Sequence, residues 1–289
     1  MGIYTDMQGG KTVYDFQKAS IWKRISAALF DFILISIVVT GAALLISLAI
    51  NFNDQYDKLD ALYAAKEKEY GLEAAEIEFG DDYDSFSDEQ KAIYDAAVEA
   101  LSKDEAFQNE FSVLATTIFN YTLIIVSFSL LIGYLVVELL FPLIFKNGQT
   151  LGKKIFGVAV MRVDGVKVSP LLMFIRTVLG KYTIEVMIPV FIGLLIYFGV
   201  IGFGNLSTMT IGFVVVVALL VLQAVLLITN KARTPIHDKL ASTVTVDYAT
   251  QLIFDTKEEL LEYQKRIHDE QINTNADTDA DTNTEGNSF

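Results

Sequence analysis

Four stretches of this chain are each long and apolar enough to cross a lipid bilayer, and they restrict what it can fold into. A helix needs about 20 apolar residues to span a hydrocarbon core of about 30 Å. The first run extends from Ile25 to Ile50 and carries one charge, Asp31. The second extends from Val113 to Phe145, with Glu138 as its charge and Pro142 near its end. The third covers Ile184 to Phe203. After the polar link Gly204-Asn205-Leu206-Ser207-Thr208, a fourth continues to Asn230. Lipid offers backbone groups no partners, so such runs must pair internally as helices. The expected fold is an all-α membrane protein with transmembrane helices at 25–51, 113–145, 184–203 and 209–230. The first run far exceeds the 7–15 residues of a signal-peptide core and is read as a retained anchor. The composition agrees: 52% of residues are hydrophobic and only 20% charged, well below a soluble domain. The chain has no cysteine, which removes disulfides, thiolate catalysis, zinc-thiolate sites and iron–sulfur clusters.

Charge placement sets the expected orientation. Segment 1–24 carries Lys11, Lys18, Lys23 and Arg24, and connection 146–183 carries seven Lys and Arg against the single acid Asp164. The tail begins with Lys231, Arg233 and Lys239. The loop 52–112 holds 5 lysines against 18 aspartates and glutamates, a net of −13. Basic segments stay inside, so both termini are expected in the cytoplasm and the acidic loop outside. That loop reads as an acidic helical hairpin. One helix is expected over Asp57–Ala75, and a second opens at the capping box Ser87-Asp88-Glu89-Gln90. Asp81-Asp82-Tyr83-Asp84 fails the EF-hand template and reads as solvated surface, because the sixth loop position is Ser87 and the twelfth Ile93. In the tail 231–272, Asp255 and Glu258 suit the start of a short helix. Residues 273–289, rich in Asn, Asp and Thr, cannot build a core and are expected to be disordered.

The candidate functional residues are the charges within and beside the spans. A charge at mid-bilayer costs about 2.5–3.5 kcal/mol on insertion scales, so an intramembrane acid is kept for a reason. Arg24 and Asp31 lie seven residues apart, about two turns, on one helix face. Asp31 is expected to be ionised and paired with a basic residue, either as an ion or proton site or as a structural helix-to-helix pair. Glu138, four residues before Pro142, is placed at a similar depth and is a supporting candidate.

The connection 146–183 is the most distinctive segment. Gly148, Gly152 and Gly157 punctuate it, yet Gly148-Gln149-Thr150-Leu151-Gly152-Lys153-Lys154 is not a phosphate loop: the glycine spacing is one residue short and Lys154 stands where Ser or Thr is needed. Val158–Val163, Asp164-Gly165 and Val166–Val168 predict a β-hairpin. Leu171–Tyr182, with Arg176 and Lys181, predicts an interfacial helix against anionic lipid.

Arg24 and Asp31, the string Gly148–Lys154 and the run Arg233-Thr234-Pro235-Ile236-His237-Asp238-Lys239-Leu240-Ala241 together resemble the RDD family of membrane proteins. That family is named for one arginine and two aspartates, which match Arg24, Asp31 and Asp238 here. The resemblance covers about Ser20 to Asp247. Gly148, Gln149, Thr150, Gly152, Lys153 and Arg233 support it. The chain departs from the family pattern in its acidic insertion and in Pro235-Ile236, where Thr-Leu before His-Asp is more usual. The resemblance implies a bacterial cell-membrane protein. Monovalent cation/proton antiport has been suggested for some members.

Enzyme function is not expected. The two histidines, His237 and His268, cannot build His-Glu-x-x-His, and Gly-x-Ser-x-Gly is absent. A net charge of −14 argues against nucleic-acid binding, and no metal or other cofactor is implied. Two readings remain. In the first, the bundle is a membrane anchor or assembly scaffold whose acidic hairpin meets a protein partner. In the second, it is an antiporter using Asp31, expected as a homo-oligomer because four helices enclose little room for a pathway.

Overall fold

The computed structural model describes residues 17–198 and 235–269, with residues 214, 217, 218, 221, 222 and 225 between them. Among these residues three helices are long and apolar enough to cross a membrane: α1 (Ile21–Ala49), α4 (Glu105–Phe145) and α6 (Pro170–Tyr197). The expected fourth span, 209–230, lies outside the described residues apart from the six isolated positions. The chain divides into two compact units, Met1–Ser36 with Gly133–Phe289, and Ile37–Ile132.

Within the second unit, α2 (Asn53–Tyr70) ends at Gly71, whose φ of 82° is left-handed and favours glycine. Helix α3 (Asp88–Lys103) starts at Ser87, where both halves of the capping box with Gln90 are formed. Leu72, Ile77, Phe86 and Ala97 make a small core between these helices. The Asp81–Asp84 carboxylates serve local turns: Asp82 accepts from the Asp84 N–H at 3.2 Å and Asp81 from the Glu78 N–H at 2.8 Å. Asp104, the C-cap of α3, joins that helix to α4 and α2. It accepts from the Phe107 N–H (3.0 Å) at the start of α4, and from Lys66 Nζ (2.6 Å) and the Tyr70 hydroxyl (3.1 Å) on α2.

The Lys66 hydrogen bond, ahead of the Phe107 N–H, holds the Asp104 carboxyl down at about 2. A folded value below the ordinary one of about 3.9 gives a contribution that is complete above that pH and is lost as pH falls through about 2. Acid titration of helical circular dichroism should therefore show a low-pH component in the wild type that Asp104→Asn lacks. Identical curves for the two proteins would contradict this assignment.

The first unit departs from an all-α fold. Strand β1 (Val158–Arg162) pairs antiparallel with β2 (Thr243–Asp247), in the register Val158↔Asp247, Val160↔Thr245, Arg162↔Thr243. The expected hairpin partner, Val166–Val168, meets β1 through the single bridge Met161↔Lys167, while Val166 bridges Phe254. Its Asp164-Gly165 turn does form, with Gly165 at φ 88° and Arg162 N–H donating to Val166 O at 2.9 Å. The chain then departs at once into a helix, because Ser169 caps it and Pro170 is pre-set for its first turn. The Thr243–Asp247 segment takes the free edge, burying Val244 and Val246 against Ala159 and Met161.

A second correction concerns that helix. The expected interfacial helix and third span are one continuous helix, α6, beginning at Pro170 rather than at residue 184. No breaker separates Tyr182 from Ile184, and the helix passes Ile175–Met187 with a widened π turn. Arg176 and Lys181 therefore sit inside the fold rather than on a lipid surface. In the tail, the helix over 257–269 is opened by Thr256, which accepts from the Glu259 N–H at 3.2 Å, one residue after the expected Asp255.

Candidate functional site

The site is assembled from four places where the backbone is specially shaped. On α4, Pro142 has no N–H to give to the Glu138 carbonyl four residues earlier. The helix answers with a π turn at Leu135–Leu140, and the Thr177 hydroxyl of α6 donates to Glu138 O at 2.9 Å. Between α4 and β1, Gly148 takes φ 68°, with Val160 O only 2.5 Å from where a Cβ would sit. Gln149 is buried and its Nε2 donates to Val158 O at 2.7 Å, tying this turn to the strand. Thr150 then caps the short helix α5 (Leu151–Ile155) by accepting from the Lys153 N–H at 3.2 Å.

That cap delivers α5 onto α1. Asp31 is 2% exposed, and both its oxygens accept: one from the Thr150 hydroxyl, the other from the Gly152 N–H at 2.8 Å. Its contact is thus not the direct ion pair expected from the sequence, since Asp31 makes no salt bridge among the described residues. The closeness depends on glycine, because a Cβ on residue 152 would lie 2.4 Å from Ala27 O and 2.8 Å from Asp31 Oδ1. Thr150→Val removes a hydroxyl that serves both the cap and Asp31, and should cost about 1–3 kcal/mol in thermal melts. Thr150→Ser should recover most of it; equal losses for Val and Ser would contradict this dual role.

Glu138 collects the cations. Lys153 Nζ lies 3.2 Å from Oε2, Lys181 Nζ contacts Oε1, and Arg176 Nη1 stands 3.9 Å from Oε2. Burial lowers the Lys153 amine to about 8; the Glu138 charge resists, while Lys181 and Arg176 push further down. The same Arg176 reaches the end of the chain's matched motif, with Nε 2.7 Å from Asp238 Oδ1. Asp238, on α7 (Ile236–Leu240), is fully buried and also accepts from the Thr243 (2.9 Å) and Thr245 (3.2 Å) hydroxyls of β2. Burial alone would raise its carboxyl, but the Arg176 and His237 charges and these hydrogen bonds hold it well below the usual range.

Helix α7 crosses α6 at Gly180, where a Cβ would lie 2.6 Å from His237 Cβ. His237 Nδ1 is 2.8 Å from both Glu185 oxygens, and its backbone N–H donates to Oε1 at 3.1 Å. Burial lowers the His237 imidazole, against the opposing pull of Asp238.

Of the residues selected from the sequence, Arg24, Asp31, Glu138, Lys153 and Asp238 line one pocket of about 150 Å³. Thr150 and Gly152 bind Asp31, Gly148 and Gln149 shape the turn behind them, and Arg233 lies outside the described residues. The sequence reading placed Arg176 and Lys181 on the membrane surface and gave Thr177, Glu185, Thr243 and Thr245 no role. The available signal was the spacing of Arg176, Gly180 and Lys181, which sets two cations and a small residue within a turn and a half of one helix. Neither the curated proteins nor the solved structures yield a match to this chain. The family model does match: the RDD family model aligns with residues 18–242, a stretch that contains Arg24, Asp31 and Asp238, and the chain belongs to the RDD family.

Proposed function

We propose that this RDD protein is a non-enzymatic, multi-pass protein of the bacterial cell membrane that serves as an anchor or assembly scaffold. The carrying observation is that each carboxylate of the charged cluster is already engaged by the protein. Asp31 holds Thr150 and Gly152, Glu138 holds Lys153 and Lys181, and Asp238 holds Arg176, Thr243 and Thr245. An arrangement of this kind fixes α1, α4, α5, α6, α7 and β2 to one another, and a carried cation would have to displace those donors. The lysine and arginine bias supports both termini in the cytoplasm, facing anionic lipid, with the acidic helices of 52–112 outside and available to a protein partner. Four helices and such a module also suit a homo-oligomer.

Monovalent cation/proton antiport is the second reading. It is favoured by one observation, that Asp31 and Glu138 share the wall of a pocket. Two experiments test the scaffold reading. A fluorescent protein fused at the C-terminus should fluoresce, and alkaline phosphatase inserted near Gly80 should be active; the opposite pattern contradicts the orientation. Deleting Asp54–Glu110 should leave membrane insertion intact but fail to complement a strain lacking the protein. Full complementation by the deletion contradicts a working role for the acidic module.

A further inference from the structure

Between Gln17 and Asp247 the chain passes twice through the same series of local structures. In the first half, Ser20 accepts from the Lys23 N–H at 3.2 Å where α1 starts; in the second, Ser169 accepts from the Leu172 N–H at 3.3 Å where α6 starts. Further along, each half has a five-residue helix, a left-handed residue and a five-residue strand. These are α5, Gly157 (φ 66°) and β1, then α7, Ser242 (φ 50°) and β2. Counterparts lie 149 residues apart at the span starts and 85 apart at the short helices and strands. Most of the difference is the acidic loop 52–112, where the second half has the short link 204–208. An antiparallel pair is two-fold by construction, but its flanks need not be, and here they match too. Arg162 N–H donates to Val166 O at 2.9 Å, and its counterpart Asp247 N–H to Gln17 O at 2.8 Å. Val163 N–H donates to Ser242 O at 3.0 Å, and Tyr248 N–H to Gly157 O at 2.9 Å. The bridge Met161↔Lys167 recurs as Lys18↔Val246. Each of these pairs obeys the same two offsets.

We propose that the chain is two copies of one two-span unit, joined in tandem, and that the β1–β2 seam is an interface at which each copy takes a partner of its own kind. Val160↔Thr245 lies on the local two-fold axis, and Val158↔Asp247 exchanges with Arg162↔Thr243, as contacts do across a two-fold interface. Span alternation makes α1 and α6 run the same way, which is the arrangement of parallel repeats about an axis along the membrane normal. The acidic module is then an insertion in the outer loop of one copy. The second copy also carries its own version of the Asp31 contact. The amide of the second residue in each short helix donates to an acid of that copy's first span, Gly152 to Asp31 at 2.8 Å and His237 to Glu185 at 3.1 Å. At the crossing the glycine changes sides. Gly152 meets α1, whereas Gly180, the counterpart of Asp31, meets His237, and an added Cβ would lie 2.4 Å and 2.6 Å from its neighbour. The inference does not depend on the scaffold reading.

Two circular permutants of the full chain test this. The first opens the link between the copies and runs 165–289 followed by 1–164. The second opens the first copy itself, between α4 and α5, and runs 147–289 followed by 1–146. Both keep every residue, join the same two ends and cut the same connection 146–183, so they differ only in whether a copy is broken. Membrane insertion and melting in detergent are measured for each. The first form should insert and melt near the wild type, because each copy remains continuous. The second separates α5 and β1 from their own spans, and should melt at least about 4 °C below the first or fail to accumulate. A smaller gap between the two forms, failure of both, or the reverse order overturns the proposal.

Discussion

Replacing Arg176 by methionine should destabilise the protein by about 3–5 kcal/mol, the usual cost of removing one partner from a buried ion pair. Asp238 is 0% exposed and would be left with two threonine hydroxyls and no full countercharge within hydrogen-bond distance, and Glu138 would lose part of the field that holds it. Loss of this size is a large part of a typical domain's stability. In detergent the variant should melt far below the wild type or fail to run as a single species. Two companions separate charge from shape. Arg176→Lys keeps the charge but loses the Nε contact at 2.7 Å, so it should recover only part of the loss. The double variant Arg176→Met/Asp238→Asn removes both charges while keeping an acceptor for Thr243 and Thr245, and should be more stable than Arg176→Met alone. A double variant as damaged as the sum of the singles would show that the pair does not act as a unit.

The second large effect is expected from one methyl group. In Gly152→Ala, the new Cβ would meet Ala27 O at 2.4 Å and Asp31 Cγ at 2.9 Å. Ala27 O belongs to the backbone of α1 and cannot rotate away, so α5 must withdraw. Overpacking of this kind costs about 1–3 kcal/mol. Withdrawal also breaks the 2.8 Å hydrogen bond from Gly152 N–H to Asp31, worth about 1.5–3 kcal/mol for a charged acceptor. The combined expectation is about 3–5 kcal/mol. Gly157→Ala is the matching control: its φ of 66° is left-handed, but no atom lies within 4 Å of the added Cβ. It should lose only about 1–2 kcal/mol of backbone strain. Equal melting temperatures for the two variants would mean that the approach of α5 to Asp31 is not what glycine provides.

These two positions show what could and could not be read from the sequence. The presence of the three described spans follows from apolar length, because lipid leaves few alternatives to a helix, but the start of the third at Pro170 does not. The Ser87–Gln90 capping box is likewise local, a matter of four adjacent residues. Asp31 and Asp238 stand out as acids in a family motif, but their partners lie 119 and 62 residues away, at Thr150 and Arg176. No periodicity encodes such a pairing. Arg176 and Lys181 look like surface cations because side chains of that type usually face water or headgroups. What draws them inward is Glu138, exposed to them by the π turn before Pro142. The strand partner of Val158–Arg162 is hidden in the sequence for a related reason. A tight Asp-Gly turn favours the nearer segment, and only the competing start of α6 at Pro170 releases the strand edge to Thr243–Asp247.

On the scaffold reading, Asp31 is a structural acceptor for Thr150 and Gly152 rather than a site for a carried ion. The most direct test of this claim is proton flux into proteoliposomes on addition of sodium, lithium or potassium, with wild type and Asp31→Asn compared after both are shown to be folded. Asparagine can accept from Gly152 and donate to Thr150, so this variant should remain folded with a modest loss of stability, and neither protein should show cation-dependent flux. Flux in the wild type that disappears in a folded Asp31→Asn protein would contradict the claim and make Asp31 the transport site.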